Sequence, residues 1–258
     1  MKITKSDTGT FYMTYEGAYM KIDINKCKGC KKCIPLCCGE AIYFDENLKK
    51  CKVNQEKCVE CDICKISGIC DVDALVQIKL KWPRSIRRAY SSVTASHKWM
   101  GVWGRGTMEM KNNDVTGKFG TGETGFTIDV GRPGITCTFI DVEKITMVLA
   151  LIGVKFDELN PTTQLMKNRK RGTIKTEVKN ERVLSCIIEF TVDETKTLDV
   201  INTLKTVAED IYTVFSVGCI SKCDSNGDAP VQKILDANNI YYRPNAKINI
   251  GLGRPLFE

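Results

Sequence analysis

Apolar residues in the C-terminal part of the chain recur at two periods, one typical of helices and the other of strands. The clearest helical face has apolar side chains at steps of three and four residues: Leu198, Ile201, Leu204, Val207 and Ile211. A second helix is predicted from Asp141 to Ile152, with Asp141 as its N-terminal cap. Strands are predicted at 125–130, 154–159, 182–192 and 213–220, followed by a short helix at 230–239 and a last strand at 246–253.

This order is a strand–helix–strand unit that occurs twice, with a hairpin-like stretch at about 171–192 between the copies. Two such units form the α/β plait (βαββαβ), in which helices cover one face of a four-stranded sheet. The segment has a weak similarity to small ligand-binding regulatory modules of the ACT type. We therefore predict a plait-like α+β domain over residues 98–258.

Cysteines dominate the N-terminal third, which holds ten of the 14 in the chain. Two arrays of similar spacing follow each other, C-x2-C-x2-C-x3-C and C-x2-C-x2-C-x5-C. Three sulfurs so close together can wrap three corners of an iron–sulfur cubane, with the fourth ligand supplied from elsewhere. Zinc sites instead pair two C-x2-C turns across a longer gap. The first array is Cys27, Cys30, Cys33 and Cys37, and the second is Cys58, Cys61, Cys64 and Cys70.

Residues 21–82 resemble the bacterial two-cluster ferredoxin domain on the strength of these two arrays. In that family the fourth cysteine of each array binds the other cluster. The resemblance implies two [4Fe-4S] clusters. The first would be bound by Cys27, Cys30, Cys33 and Cys70, and the second by Cys58, Cys61, Cys64 and Cys37. The predicted fold class is thus α+β, with an N-terminal two-cluster ferredoxin domain followed by the plait-like domain.

Two departures from the family pattern concern the fourth cysteines. The residue that follows them is normally proline, but Cys38 and Asp71 stand there in this chain. Counting from Cys33, Cys37 holds the ligand position, so Cys38 is predicted to be a packed thiol. The second array has five residues before Cys70 where three are usual, and this insertion either forms a harmless bulge or reshapes the face of the first cluster. Cys51 fits no ligand position and is predicted to be structural.

Composition and charge narrow the function classes. With 43% hydrophobic and 27% charged residues the chain has the composition of a globular protein. No apolar run approaches the roughly 20 residues of a membrane helix, and no secretory signal is visible, so we expect a cytoplasmic protein without a membrane span. Disulfides are rare in that compartment, which favours metal binding for dense cysteines. The net charge of +7 comes without a basic stripe carrying aromatics, so nucleic acid is not an expected partner.

Domain boundaries are predicted from composition. Residues 1–82 form the cysteine-rich domain with an N-terminal extension, a basic and Ser/Thr-rich stretch at 83–97 forms a connector, and residues 98–258 form the second domain. Glycine-flanked arginines in the second domain could converge on an anion, or could simply lie on the surface beside turns: Arg105, Arg132 and Arg254. The remaining cysteines (Cys137, Cys186, Cys219 and Cys223) and the single histidine, His97, indicate packing rather than another metal site.

The leading hypothesis is a non-catalytic electron-transfer component of an oxidoreductase complex. Its clusters would pass single electrons from a low-potential donor to a partner oxidoreductase subunit, which the C-terminal domain would dock. The resemblance also implies anaerobic metabolism. Two alternatives stay open: a reductive enzyme that binds a small acidic substrate at the glycine–arginine loops, and a regulator in which the plait senses a metabolite. No catalytic residue and no oligomeric state follow from the sequence.

Overall fold

The structure is a computed structural model that describes residues 3–5, 11–13, 17–97, 102–103, 117–131 and 135–243. Helices and strands are mixed along the chain, which confirms the predicted α+β class. Two compact units are present, and they do not divide the chain at one point. The cysteine unit comprises Met1–Gly106, Gly131–Ile140 and Thr176–Cys186, and the sheet unit comprises Thr107–Val130, Asp141–Lys175 and Ile187–Glu258. The predicted boundary near residue 98 therefore differs from the structure, because two later segments return to the cysteine unit.

The cysteine unit is built from short antiparallel strand pairs around a core rich in cysteine. Gly17–Ile22 pairs with Leu75–Leu80, and Ile42–Asp45 pairs with Lys50–Val53. The other strand pairs are Ile3–Lys5 with Phe11–Met13, Ser96–His97 with Val102–Trp103, and Cys137–Thr138 with Arg182–Val183. The helical elements are Ile63–Ile66, Ser85–Ser91 and the 3-10 turn Thr176–Val178. The buried core consists of Met20, Cys27, Ala41, Ile42, Cys51, Cys58, Cys64, Ala74 and Leu75.

The stretch predicted as a connector contains a helix with buried side chains. Ser85–Ser91 is helical, and Ile86, Ala89 and Tyr90 point inward at helical spacing. The Tyr90 ring is fully buried and meets the Phe139 ring edge-on, with 5.4 Å between the centroids. The serines and arginines of this stretch suggested exposed chain, but Ser91, Ser92 and the arginines bind partners inside the cysteine unit.

The sheet unit contains a four-stranded sheet. Its strand order is Lys155–Phe156, Cys186–Asp193, Glu123–Val130 and Phe215–Ser221. The last two strands pair antiparallel along their whole length, from Phe215 opposite Val130 to Ser221 opposite Thr124. All four strands fall where apolar runs predicted strands. The predicted strand at 182–192 is interrupted, because Arg182–Val183 pairs with Cys137–Thr138 instead of joining this sheet.

Two helices correspond to the predicted ones, Phe139–Ile152 and Thr197–Val207. The first begins two residues before Asp141, which therefore lies in its first turn; the Asp141 carboxylate accepts a hydrogen bond from the Tyr212 amide (3.1 Å). Between sheet residues, the Phe126 and Phe190 rings stack at 5.2 Å. The unit also contains the helices Pro161–Gln164 and Pro230–Ala237, the strands Met166–Asn168 and Thr173–Ile174, and the 3-10 turn Glu194–Lys196. The predicted last strand, at 246–253, lies outside the described residues.

Candidate metal centres

The cysteine unit repeats one backbone pattern around its two fourth cysteines. The Cys37 sulfur accepts a hydrogen bond from the Ala41 amide (3.1 Å), and the Cys70 sulfur accepts one from the Ala74 amide (3.2 Å). Each bond spans four residues, so Cys37 and Cys70 hold equivalent positions despite the two extra residues before Cys70. Cys38 does not hold such a position.

The first cavity of the unit lies between the two arrays. Its wall includes three cysteines of the first array and the fourth cysteine of the second, together with Cys51. The cysteines of this cavity are Cys27, Cys30, Cys33, Cys70 and Cys51. Cys30 is exposed, so this cavity reaches the surface of the unit.

The second cavity contains the complementary set. It is lined by Cys58, Cys61 and Cys64 of the second array and by Cys37 of the first. Met20 lines this cavity as Cys51 lines the other, and both side chains are almost fully buried, at 2% and 1% exposure. Cys51 is therefore part of a cavity wall, a location for which the sequence carried no signal.

Cys38 contacts the second array at Cys61. Its sulfur is 3.8 Å from the Cys61 sulfur, and the side chain is half-buried. That contact and burial raise the pKa of Cys61, whereas the same contact lowers the pKa of Cys38. Cys38 does not line the second cavity with the other four cysteines.

The loops between the cysteines contain left-handed residues at matching places. Gly29 and Lys31 have φ of 71° and 62°, and Glu60 and Asp62 have φ of 58° and 62°. Alternation of right- and left-handed residues turns successive backbone N–H groups toward one point and makes a concavity that suits anions, iron–sulfur clusters included. At Gly29 a side chain is excluded, since a Cβ atom would lie 2.3 Å from the Lys49 carbonyl oxygen.

Burial controls the protonation of several of these thiols. It raises the pKa of Cys58 and of Cys64 to about 12. Burial, followed by the neighbouring Cys51, raises the pKa of Cys33 to about 12. These thiols are protonated at neutral pH in the absence of metal, so binding a metal to their thiolates must release protons.

The second array is enclosed by carboxylates and arginines that the sequence analysis did not identify. The Glu60 carboxylate, with no exposed surface, accepts hydrogen bonds from Arg84 (3.0 and 2.6 Å) and from the Met20 amide (3.0 Å). The Asp62 carboxylate binds Arg88 (2.9 Å) and Ser92 (2.9 Å). The sequence did contain a sign of these ion pairs. Two acidic residues lie between the cysteines of the second array, and a basic stretch follows at 84–88.

Arg87 joins this enclosure to a later segment of the same unit. One of its guanidinium nitrogens donates to the carbonyl oxygens of Gln55, Glu56 and Cys58, at 3.0, 2.9 and 2.8 Å. Its Nε forms an ion pair with Glu181. The Arg87 side chain thus fixes the backbone that leads into the second array through three hydrogen bonds.

Within the part of the chain that the structure describes, no group of three or more His, Cys, Asp or Glu side chains converges as one ion requires. Four thiolates around a cubane bind four separate corners and need not converge. Four array cysteines line each cavity, a donor set that either an iron–sulfur cluster or a zinc ion can use.

The other candidate residues are dispersed or lie outside the described residues. Arg105, Arg132 and Arg254 belong to stretches that the structure does not describe, as does the side chain of His97. Cys137 and Cys186 are buried in the cysteine unit, and Cys219 and Cys223 belong to the sheet unit.

Comparison with protein-family models, with curated proteins and with solved structures finds no match to this chain. None of the described helices combines the length and the apolar character that crossing a bilayer would require.

Proposed function

We propose that this protein transfers single electrons through two [4Fe-4S] clusters. The observation that carries the proposal is the grouping of the eight array cysteines. Cys27, Cys30, Cys33 and Cys70 line one cavity, and the remaining four line the other. This is the exchange of fourth ligands that interleaved two-cluster domains use. When bound, each cluster can accept and release one electron.

The residues around the cavities have definite tasks in this proposal. Amide hydrogen bonds to Cys37 and Cys70 favour thiolate over thiol and so adjust the reduction potential. Glu60 and Asp62 are buried beside the second cavity with their arginine partners, while the exposed Cys30 leaves the first cavity accessible. The two sites would therefore differ in potential and in access to external electron carriers.

The finer fold assignment belongs to the same proposal. The cysteine unit would be a two-cluster ferredoxin domain with additions from later segments. The sheet unit would be an α/β plait, since its strand order is the one that two split βαβ units produce. We infer that the sheet unit docks a partner oxidoreductase subunit, and that the protein works in the cytoplasm with a low-potential donor.

The decisive experiment is a metal analysis of the full chain prepared without oxygen. We expect about eight iron and eight acid-labile sulfide per chain, with reducible [4Fe-4S] signals in electron paramagnetic resonance. Close to four of each after full reconstitution, or zinc in place of iron, would contradict the proposal. Anaerobic co-purification then identifies the partner and its cofactor.

A further inference from the structure

We propose that the exposed edge of the first cysteine cavity is the docking surface for an acidic electron-transfer protein. This inference rests on the proposed function, because it names the partner chemistry of one of the two sites. It starts from a difference between the two copies of the array within the same chain.

The loop of the first array is basic and open to solvent. Lys26, Lys28, Lys31 and Lys32 are all exposed there, and so is Cys30. Lys28 and Lys32 line the first cavity itself. An approaching redox protein would meet these ammonium groups before it reached the thiolates.

Three of the four corresponding positions in the second array carry no such charge, whereas Lys57 stands in place of Lys26 and is also exposed. Val59 stands in place of Lys28, Asp62 in place of Lys31 and Ile63 in place of Lys32. Val59 and Asp62 are buried, at 2% exposure each. Lys28, Lys31 and Lys32 are thus particular to the first array, and the loop does not require lysines at these three positions in order to fold.

The carboxylates near the first cavity neutralise only part of the charge of the lysines. Asp71 pairs with Lys32 (2.7 Å), and Asp73 pairs with Lys65 (2.6 Å). Among the described residues, Lys26 and Lys28 form no ion pair, which leaves their charges available to a partner. Opposite charges of this kind steer diffusional encounter and raise association rates by about 10- to 1,000-fold at low salt.

Exposed apolar side chains beside the lysines favour a protein over a small anion. Ile24 is 47% exposed and directly precedes the basic loop, and Leu48 is also 47% exposed. The neighbouring Lys49 carbonyl lies against Gly29, so the turn that carries Leu48 adjoins the loop. Apolar residues within a charged rim are typical of protein interfaces, whereas a small anion has no use for them.

The test follows electron transfer from the reduced, iron-loaded full chain to flavodoxin, an acidic acceptor, in an anaerobic stopped-flow instrument. One electron leaves the protein and enters the flavin, which takes a proton from solvent. We expect the second-order rate constant to fall at least about tenfold between 20 and 500 mM NaCl, because the Debye length shrinks from tens of ångströms to a few. Basic cytochrome c should show the opposite dependence.

Charge reversal tests the location of the surface. The double variant Lys26→Glu/Lys31→Glu changes two exposed lysines that do not line the cavity, and it should lose about tenfold in rate at low salt and most of the salt dependence. The matched variant Lys167→Glu/Lys170→Glu makes the same charge change at exposed lysines of the sheet unit and should keep the wild-type rate. Both variants should keep their full iron content and midpoint potentials.

Three results would overturn the inference: a rate independent of salt, an equal loss in both double variants, or a loss explained by a shifted potential. A loss with the small anion tris(oxalato)cobaltate(III) but not with flavodoxin would also overturn it, in favour of a small-anion site. A chain without iron–sulfur absorbance would contradict the proposed function itself. A loaded chain with salt-independent rates would contradict only the docking surface.

Discussion

The adjacent pair Cys37 and Cys38 provides the sharpest test of the metal centres, because only one of the two lines a cavity. Replacing Cys37 by Ala removes one of the four thiolates of the second cavity and the sulfur that accepts the Ala41 amide bond. A cubane corner without its ligand becomes labile. We therefore expect iron to fall from about eight to about four per chain, with loss of one of two sets of cluster signals.

Replacing Cys38 by Ala is the matched control. The Cys38 side chain is half-buried and its sulfur contacts the Cys61 sulfur at 3.8 Å. Removal of this one heavy atom should cost about 1 kcal/mol of stability at most, and the iron content should stay at about eight. Cys70→Ala should mirror Cys37→Ala by emptying the first cavity, since the two residues are equivalent in backbone position.

Iron and sulfide are measured colorimetrically after anaerobic reconstitution, and each variant is compared by absorbance near 400 nm. Retention of about eight iron in Cys37→Ala together with loss of half in Cys38→Ala would refute the assignment. It would mean that the ligand position is shifted by one residue and that the Ala41 amide bond marks a structural thiol.

Three further outcomes can be checked on the same protein. Gly29→Ala should lose the first cluster in the iron assay, because its Cβ would lie 2.3 Å from the Lys49 carbonyl oxygen at a φ of +71°. The control Gly68→Ala has a φ of +65° but open space around it, so it should lower the free energy of unfolding by only about 1–2 kcal/mol. Arg84→Met should destabilise the fold by about 3–5 kcal/mol through the buried Glu60 carboxylate. Burial already raises the pKa of Glu60, so in the variant the Glu60 carboxyl can be protonated at low pH and then leaves no unpaired buried charge. The loss of stability in Arg84→Met should therefore grow as pH rises from 5 to 8, as measured by thermal melts. The added substitution Glu60→Gln should relieve this loss. Burial raises the pKa of the Cys219 thiol to about 12. Alkylation of Cys219, followed by mass spectrometry, should therefore be slower than that of exposed Cys223 and should accelerate about tenfold per pH unit. Equal alkylation rates of the two cysteines at pH 8 would contradict this prediction.

Sequence periodicity predicted the strands and helices of the sheet unit well, because alternation and three-to-four spacing report directly on which side chains are buried. Leu198, Ile201, Leu204 and Val207 lie on the helix Thr197–Val207 as their spacing required. The helix Ser85–Ser91 was not predicted, because polar residues such as Arg87 and Ser91 are buried in it and bind protein groups rather than solvent. A pattern of polar and apolar letters cannot distinguish those two situations.

The candidate metal centres likewise have features that the sequence revealed and features that only the structure shows. Ligand spacing was visible in the sequence, because the three close cysteines of an array are neighbours along the chain. The enclosure of Glu60 by Arg84 was not, because it joins residues 24 positions apart through side chains. The placement of Cys51 in a cavity wall likewise depends on the pairing of Lys50–Val53 with Ile42–Asp45.

The return of two late segments to the cysteine unit has a consequence for biosynthesis. Residues 131–140 and 176–186 belong to that unit, and Glu181 pairs with Arg87 in it. A ribosome that adds about 5–20 residues per second needs roughly 5 to 20 seconds between residue 97 and residue 186. During that interval the nascent chain presents every array cysteine without its closing segments. If the protein holds the proposed clusters, iron and sulfide would be inserted into this open precursor, and translation past residue 186 would then complete the unit around them.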